Sequence, residues 1–433
     1  MFKKKPFPFT LYKYFFFLFI PALLLRLWWK GRKNPAYRER LGERLGFLPF
    51  TITQPVVWIH AVSLGESVAA TPFIKQWLAS NPTDTVLVTT TTPAGSVYVQ
   101  KTFGDKVKHA YFPYDTPGCL ARFFKHCRPK VLIVLETEIW PLLFETCHKR
   151  NIPVFIINGR ISDKAWPKYQ KIRDITAYTI QFMPHIFAQS GANGGRFVEL
   201  GLDPAKCTVM GNLKFDVTPP SYPAELIEET KATLHAEAKL NQPRFVLVAA
   251  STHPGEDQQL LEILPELRKQ IPNLLLVLIP RHLDKFDAVA AKVADNGFSL
   301  ARRSTGAACT ADTAVYLADT MGEVPLFYSL GDVAFVGGSL VPIGGHSLLE
   351  PTFAGLPVVT GPHNENAIEI AHYLAGCGIL TVAPNKEGVR DAILDLAKSP
   401  GKRAKCRETG IDVMRQHQGA SEKTLRQIRS FVP

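Results

Sequence analysis

Short apolar runs alternate with amphipathic segments along most of the chain, and each run is closed by glycine, proline or a capping residue. A parallel sheet needs this pattern, because its strands are covered by helices on both faces. The runs Val56–Ile59, Thr85–Thr89, Val131–Leu135, Val154–Ile157 and Ile186–Ala188 form a first series of strand candidates. Ser221 to Asn241 is polar and helix-rich, and reads as a connector. A second series follows: Phe245–Ala249, Leu274–Ile279, Ala314–Leu317, Val333–Val336 and Val358–Val359. The pattern predicts an α/β protein with two Rossmann-like domains facing a cleft, divided near residue 217. The expected division is 1–33 for a basic N-terminal anchor, 34–216 for the first domain and 217–433 for the second.

The N-terminus breaks the alternation. Tyr14 to Leu25 is apolar for about a dozen residues before Arg26 interrupts, and Leu27-Trp28-Trp29 follow. A full membrane span needs roughly 20 apolar residues, so this run is short for one. It lacks a small-residue cleavage site, which argues against a removed signal peptide. Lysines on one flank, and Arg26, Lys30 and two tryptophans on the other, suit an uncleaved anchor or an interfacial helix better than a core helix. Membrane attachment is the expectation.

Charge sharpens that expectation. Of the net +12, nine charges fall in residues 1–50, where eleven lysines and arginines face Glu39 and Glu43. Such a pole suits an anionic lipid surface. No nucleic-acid-binding motif accompanies it, so nucleic acid is not an expected partner. The length of 433 residues, 46% hydrophobic and 20% charged, fits two folded domains. Seven cysteines are scattered without a CxxC pair, so neither a zinc site nor a disulfide frame is indicated.

Ligands of such sheets bind beyond the carboxyl ends of the strands. The segment 337–366 carries a glycine turn (Gly344, Gly345), an expected helix start at His346 or Ser347, and Glu350 one turn in. Unpaired N–H groups at a helix start favour a phosphate, and a carboxylate one turn in suits a ribose diol. Other post-strand loops hold Glu66 at a helix opening, Glu136 and Glu138 directly after a buried run, Asn158-Gly159-Arg160, and Lys214. A carboxylate at a helix opening often only complements the dipole; as a general base, Glu66 would have to reach an acceptor hydroxyl. Arg281 and His282 end another run, where a guanidinium can hold a phosphate or carboxylate, and Met321-Gly322-Glu323 form a turn whose backbone could read a base edge. No D-x-D pair occurs, which disfavours a metal-clamped diphosphate and suits a nucleoside monophosphate leaving group.

Eight ordered motifs carry a resemblance: WIHAVSLGE at 58–66, LETEIWP at 135–141, NGRIS at 158–162, GNLKFD at 211–216, ASTHPGED at 250–257, PRH at 280–282, MGE at 321–323 and GGHSLLEP at 344–351. With them the chain resembles the bacterial transferases of 3-deoxy-D-manno-octulosonic acid (Kdo), from the N-terminus to about residue 420. The resemblance implies the glycosyltransferase B type of fold, CMP-Kdo as donor, a lipid A precursor as acceptor, no metal or other cofactor, and a place on the cytoplasmic face of the inner membrane. It gives Glu66 the role of catalytic base, and Glu136 and Lys214 that of stabilising the transition state. Arg281, His282, Met321, Gly322, Glu323 and the run Ser347, Leu348, Leu349, Glu350 match the CMP site. Many relatives carry Asn-Pro where this chain has Ser347-Leu348; a serine can still cap a helix and donate to a phosphate. Two rivals share parts of this pattern. A sugar-nucleotide epimerase of the same fold would have no need of the apolar, basic N-terminus, and a membrane-tethered binding protein would have no need of Glu66.

Overall fold

The computed structural model describes residues 4–236 and 243–432, with the side chains of Tyr14 and Phe15 left aside. Lys3 and the last residues of the expected connector, 237–241, lie outside the described residues. The chain divides into two compact units, 1–218 with 417–433, and 219–416.

In the first unit, β1 (Pro55–His60), β2 (Thr85–Thr90), β3 (Lys108–Tyr111), β4 (Arg128–Leu135), β5 (Val154–Gly159), β6 (His185–Ala188) and β7 (Cys207–Val209) form one sheet in the order 3-2-1-4-5-6-7. All of its pairings are parallel. The strands are apolar because both faces are covered, as Val56 to Ile59 show by their complete burial. Trp58 fills one face, with its ring centroid 4.4 Å from that of Phe123, and its indole N–H donates to Thr89 Oγ1 at 2.9 Å. A buried indole with its one donor satisfied anchors a core at little polar cost.

The second unit repeats the plan. Its sheet joins β8 (Phe245–Thr252), β9 (Leu274–Pro280), β10 (Leu300–Arg302), β11 (Val315–Leu317), β12 (Val333–Val336), β13 (Val358–Thr360) and β14 (Leu380–Val382) in the order 10-11-9-8-12-13-14. Every pairing is again parallel. Strand order reverses between β1 and β4 in the first sheet and between β8 and β12 in the second. Crevices for ligands open at such reversals.

All ten expected strands are present. β3, β7, β10 and β14 were not expected, and they are the four sheet edges. An edge strand is short and partly solvated, so it lacks the continuous apolar run that marks a central one.

The final helix, Ala420–Arg429, packs on the first unit although it follows the second in sequence. Its Ala420, Leu425 and Ile428 enter the core that holds Phe73, Ile74 and Trp77 of the helix Leu64–Ser80. Asp216 caps it from a distance, accepting from the N–H groups of Gly419 and Ser421 at 2.6 Å each.

The apolar N-terminus forms two helices, Phe7–Leu18 and Ile20–Lys30, bent by 49°. No single helix among the described residues is long and apolar enough to cross a membrane. The first helix does pack on a core, which the density of basic and aromatic residues had argued against. Phe9 is fully buried with its ring 4.9 Å from Tyr178, Tyr12 donates to Asp115 at 2.9 Å, and Lys5 pairs with Glu145 at 2.9 Å. The other surfaces of the two helices stay apolar and open: Leu18 is 70% exposed and Trp29 64%.

Truncating the docked ring should show that this helix belongs to the fold. Phe9→Ala is expected to destabilise the protein by about 3–5 kcal/mol in urea unfolding, the usual cost of deleting a buried aromatic side chain. A loss under about 1 kcal/mol would mean that the helix is only loosely attached.

Candidate active site

In the first unit, the loops after β1 and β4 place three acids near one another. Ser63 caps the helix Leu64–Ser80 by accepting from the Glu66 N–H at 3.4 Å. The Glu66 carboxyl reaches back, accepting from the Val62 N–H at 2.8 Å and from the Ser63 hydroxyl at 3.0 Å. Reciprocal capping of this kind follows from the spacing S-x-x-E, and by itself it is structural. Burial decides otherwise for the chemistry. It pushes the Glu66 carboxyl up to about 8, with the neighbouring Glu136 adding to the rise, against which the two hydrogen bonds are too few. Burial likewise lifts Glu138 to about 7, again with help from Glu136.

Glu136 is held in a costly conformation. Its φ of 56° is left-handed, and for a residue with a Cβ that costs roughly 1–2 kcal/mol. Its N–H donates to the Ile157 carbonyl at 3.0 Å, which holds the turn against β5. Its carboxylate lies 3.8 Å from Lys214 Nζ. Asn158, also left-handed at φ 53°, accepts from the Leu213 N–H at 3.0 Å, and Asn212 accepts from the Lys214 N–H at 3.0 Å. The lysine-bearing turn is thus fixed from two sides. Ser63, Glu138 and Asn158 had no role assigned from the sequence; the S-x-x-E spacing could have found the first, and the other two were marked only by their place in loops after strands.

In the second unit, Arg281 and His282 follow β9 and are exposed. Arg281 makes no ion pair among the described residues, and its charge acts on His346 and Glu350. The expected helix start is displaced. The helix runs Leu349–Phe353 and no side chain caps it; Ser347 lies before it and acts on the Glu350 carboxyl. Burial raises the Glu350 carboxyl, while Ser347 and Arg281 pull it down. Leu348 and Leu349 are buried, so only their backbone could meet a ligand. One turn of helix also has little dipole to offer, so a phosphate at 344–350 would have to be held by side chains and glycine backbone rather than by a helix start.

Met321 is 59% exposed, and Gly322 has a φ of 86° with open space where a side chain would stand. The Tyr222 hydroxyl donates to the Gly322 carbonyl at 2.7 Å. Glu323 is tied to Arg303 at 2.8 Å and to Thr320; burial would raise its carboxyl, but these bonds hold it below its ordinary value. Tyr222 senses both Glu323 and Glu350, which brings the 321–323 turn and the 347–350 segment to one locality. Two further histidines, His253 and His346, pair beside His282 and Arg281; both lie within the ordered motifs, which assign them no function.

Comparison with known proteins identifies the chemistry. The profile of the 3-Deoxy-D-manno-octulosonic-acid transferase (kdotransferase) family matches residues 39–217. The 3-deoxy-D-manno-octulosonic acid transferase of Haemophilus influenzae is 37% identical over 415 residues, covering 95% of this chain and 96% of its own. The chain belongs to the Kdo transferase family. The transferase of Bordetella pertussis is 32% identical with the same coverage, 95% and 96%. Among solved structures, the UDP-GlcNAc 2-epimerase of Neisseria meningitidis has a TM-score of 0.57 at 15% identity, covering 87% of this chain and 100% of the epimerase. A putative UDP-N-acetylglucosamine 2-epimerase of Listeria monocytogenes gives 0.56 at 18%, covering 88% and 97%. At such identities the likeness concerns the fold, which is of the glycosyltransferase B type. Identity over nearly the whole chain makes this protein a glycosyltransferase, and the epimerase and binding-protein rivals fall away.

The raised acids have a consequence for stability. Between the ordinary glutamate pKa and about 8, the folded protein keeps protons that the unfolded chain releases, so stability falls as pH rises through that window. The urea midpoint should therefore drop between pH 5.5 and 8.5, and Glu66→Gln should flatten part of that drop. Equal slopes for the two proteins would show that Glu66 ionises normally.

Proposed function

We propose that this transferase moves Kdo from CMP-Kdo to the lipid A precursor lipid IVA, with inversion at the anomeric carbon and without a metal. A glucosamine hydroxyl of the lipid attacks the anomeric carbon of Kdo. The new C–O bond forms as the bond from that carbon to the CMP phosphate breaks, CMP leaves with the electron pair, and the hydroxyl proton passes to Glu66. A single displacement of this kind inverts the configuration.

The observation that carries the reading is the Glu66 carboxyl, partly enclosed after β1 and lifted to about 8. A base works best with a pKa near the working pH, and an ordinary glutamate is far too weak. Glu136 and Lys214 stabilise the transition state, with Lys214 offsetting the second acid at 3.8 Å. For the donor, Arg281 is free to take the phosphate through two parallel bonds, and His282 flanks it. Met321, Gly322 and Glu323 meet the cytosine portion through backbone, while Ser347, the backbone of Leu348 and Leu349, and Glu350 complete the nucleotide site. The missing D-x-D pair is what favours a metal-free route.

The protein works at the cytoplasmic face of the inner membrane, held by the helices Phe7–Leu18 and Ile20–Lys30. Support comes from the exposed Leu18, Leu25, Trp28 and Trp29 beside Lys30, Arg32 and Lys33, a combination suited to an interface with anionic lipid.

The test is transfer by purified protein from CMP-Kdo to lipid IVA, read by mass spectrometry of the lipid. Glu66→Ala should give no Kdo-bearing lipid while CMP binding stays intact. Near-normal turnover by that variant would sink the role of Glu66.

A further inference from the structure

Two loops of the second unit converge on one buried carboxylate. Glu256 opens the helix Glu256–Gln270 and has no exposed surface. Its Oε2 accepts from the N–H groups of His253 at 2.9 Å and Gly338 at 2.6 Å. Its Oε1 accepts from those of Ser339 at 2.9 Å and Leu340 at 2.8 Å. Four donors fill the capacity of a carboxylate. His253 follows β8 and the other three follow β12, the strands between which the second sheet reverses its order.

The loops it ties are closely packed. A Cβ on Gly337 would lie 2.6 Å from the Ser251 carbonyl oxygen, and one on Gly338 would lie 2.9 Å from the His346 ring. The Gly338 carbonyl accepts from the Gly345 N–H at 2.8 Å, next to His346. On this framework the rings of His253 and His346 lie parallel to within 6°, with their Nε2 atoms 2.8 Å apart. One Nε2 must donate and the other accept, so the contact requires the two neutral rings to be opposite tautomers. The His282 ring stands edge-on, 5.1 Å from that of His253.

We propose that Glu256 is a positioning residue for the donor. It ties the loops after β8 and β12 so that the His253–His346 pair stands beside Arg281, where the pair meets the phosphate of a nucleoside-monophosphate sugar. Glu256 is itself enclosed and touches no substrate; it acts through the two imidazoles. The proposal rests on the reading of this unit as the CMP-binding one.

Glu256→Gln keeps the shape but turns one acceptor oxygen into a donor facing N–H groups. Calorimetric titration with CMP should show affinity weakened by about ten- to a hundredfold, the range typical when an outer partner of a binding residue is lost. The KM for CMP-Kdo should rise in step while kcat at saturating donor changes by less than about threefold. Combined with His346→Ala, the two losses should fall well short of multiplying, since both act on one element. Full multiplication, unchanged CMP affinity, or an equal fall in kcat without a change in KM would overturn the role. Should Glu256→Gln fail to fold, His253→Ala removes one ring of the pair while keeping the backbone N–H that Glu256 accepts from, and unchanged CMP affinity there overturns it equally. If the unsubstituted protein binds no CMP, the donor reading falls and the proposal falls with it.

Discussion

The crowding of Glu66, Glu136 and Glu138 after β1 and β4 is the constraint on which the site in the first unit depends. Three acids near the ends of β1 and β4 cannot all ionise cheaply in a partly enclosed place. Lys214, 3.8 Å from Glu136, compensates for one negative charge. Glu66 and Glu138 respond by holding their protons to about 8 and about 7. The contrast with Glu256 is instructive, because both glutamates open a helix after the first strand of their sheet. Glu66 receives one backbone N–H and one hydroxyl, whereas Glu256 receives four backbone N–H groups. A carboxylate with few donors stays available to exchange a proton, and one with its full complement becomes a brace.

Holding such a group in place requires support from distant sequence. The helix Ala420–Arg429 packs against the helix that carries Glu66, and Asp216 binds the start of that final helix two residues after Lys214. The end of the chain is therefore part of the support for the acid group. The left-handed turn at Glu136 is maintained in the same way, by the bond from its N–H to β5. Local strain of this size persists only where the surroundings hold it.

Much of this was legible in the order of the residues. Central strands buried on both faces write themselves as apolar runs, so both sheets and the ten inner strands could be read directly. The four edge strands could not, since solvent on one side removes the run. Glu66, Glu136 and Arg281 were recognisable because they stand just after expected strands, whereas Lys214 follows β7, which was not expected, and stood out only within GNLKFD. Contacts between residues far apart in sequence left no trace in the pattern: Phe9 against Tyr178, Asp216 at Gly419, Glu256 at Gly338, and His253 against His346. The helix start near Ser347 was misplaced because the helix begins at Leu349 behind Leu348, with no side-chain cap to mark it. Leu348 and Leu349, which the motif assigns to the nucleotide, are core residues whose side chains face inward.

The central claim is that a partly enclosed glutamate with a raised pKa is the base for Kdo transfer. The pH dependence of kcat/KM for transfer from CMP-Kdo to lipid IVA tests it most directly, since that profile reports the essential groups of the free enzyme. The account predicts a rise with pH that levels off above a break near 8, the value set by burial of Glu66 beside Glu136. A rate already at its plateau from pH 6 upward would mean that the base ionises like an ordinary carboxylate, and would contradict the account.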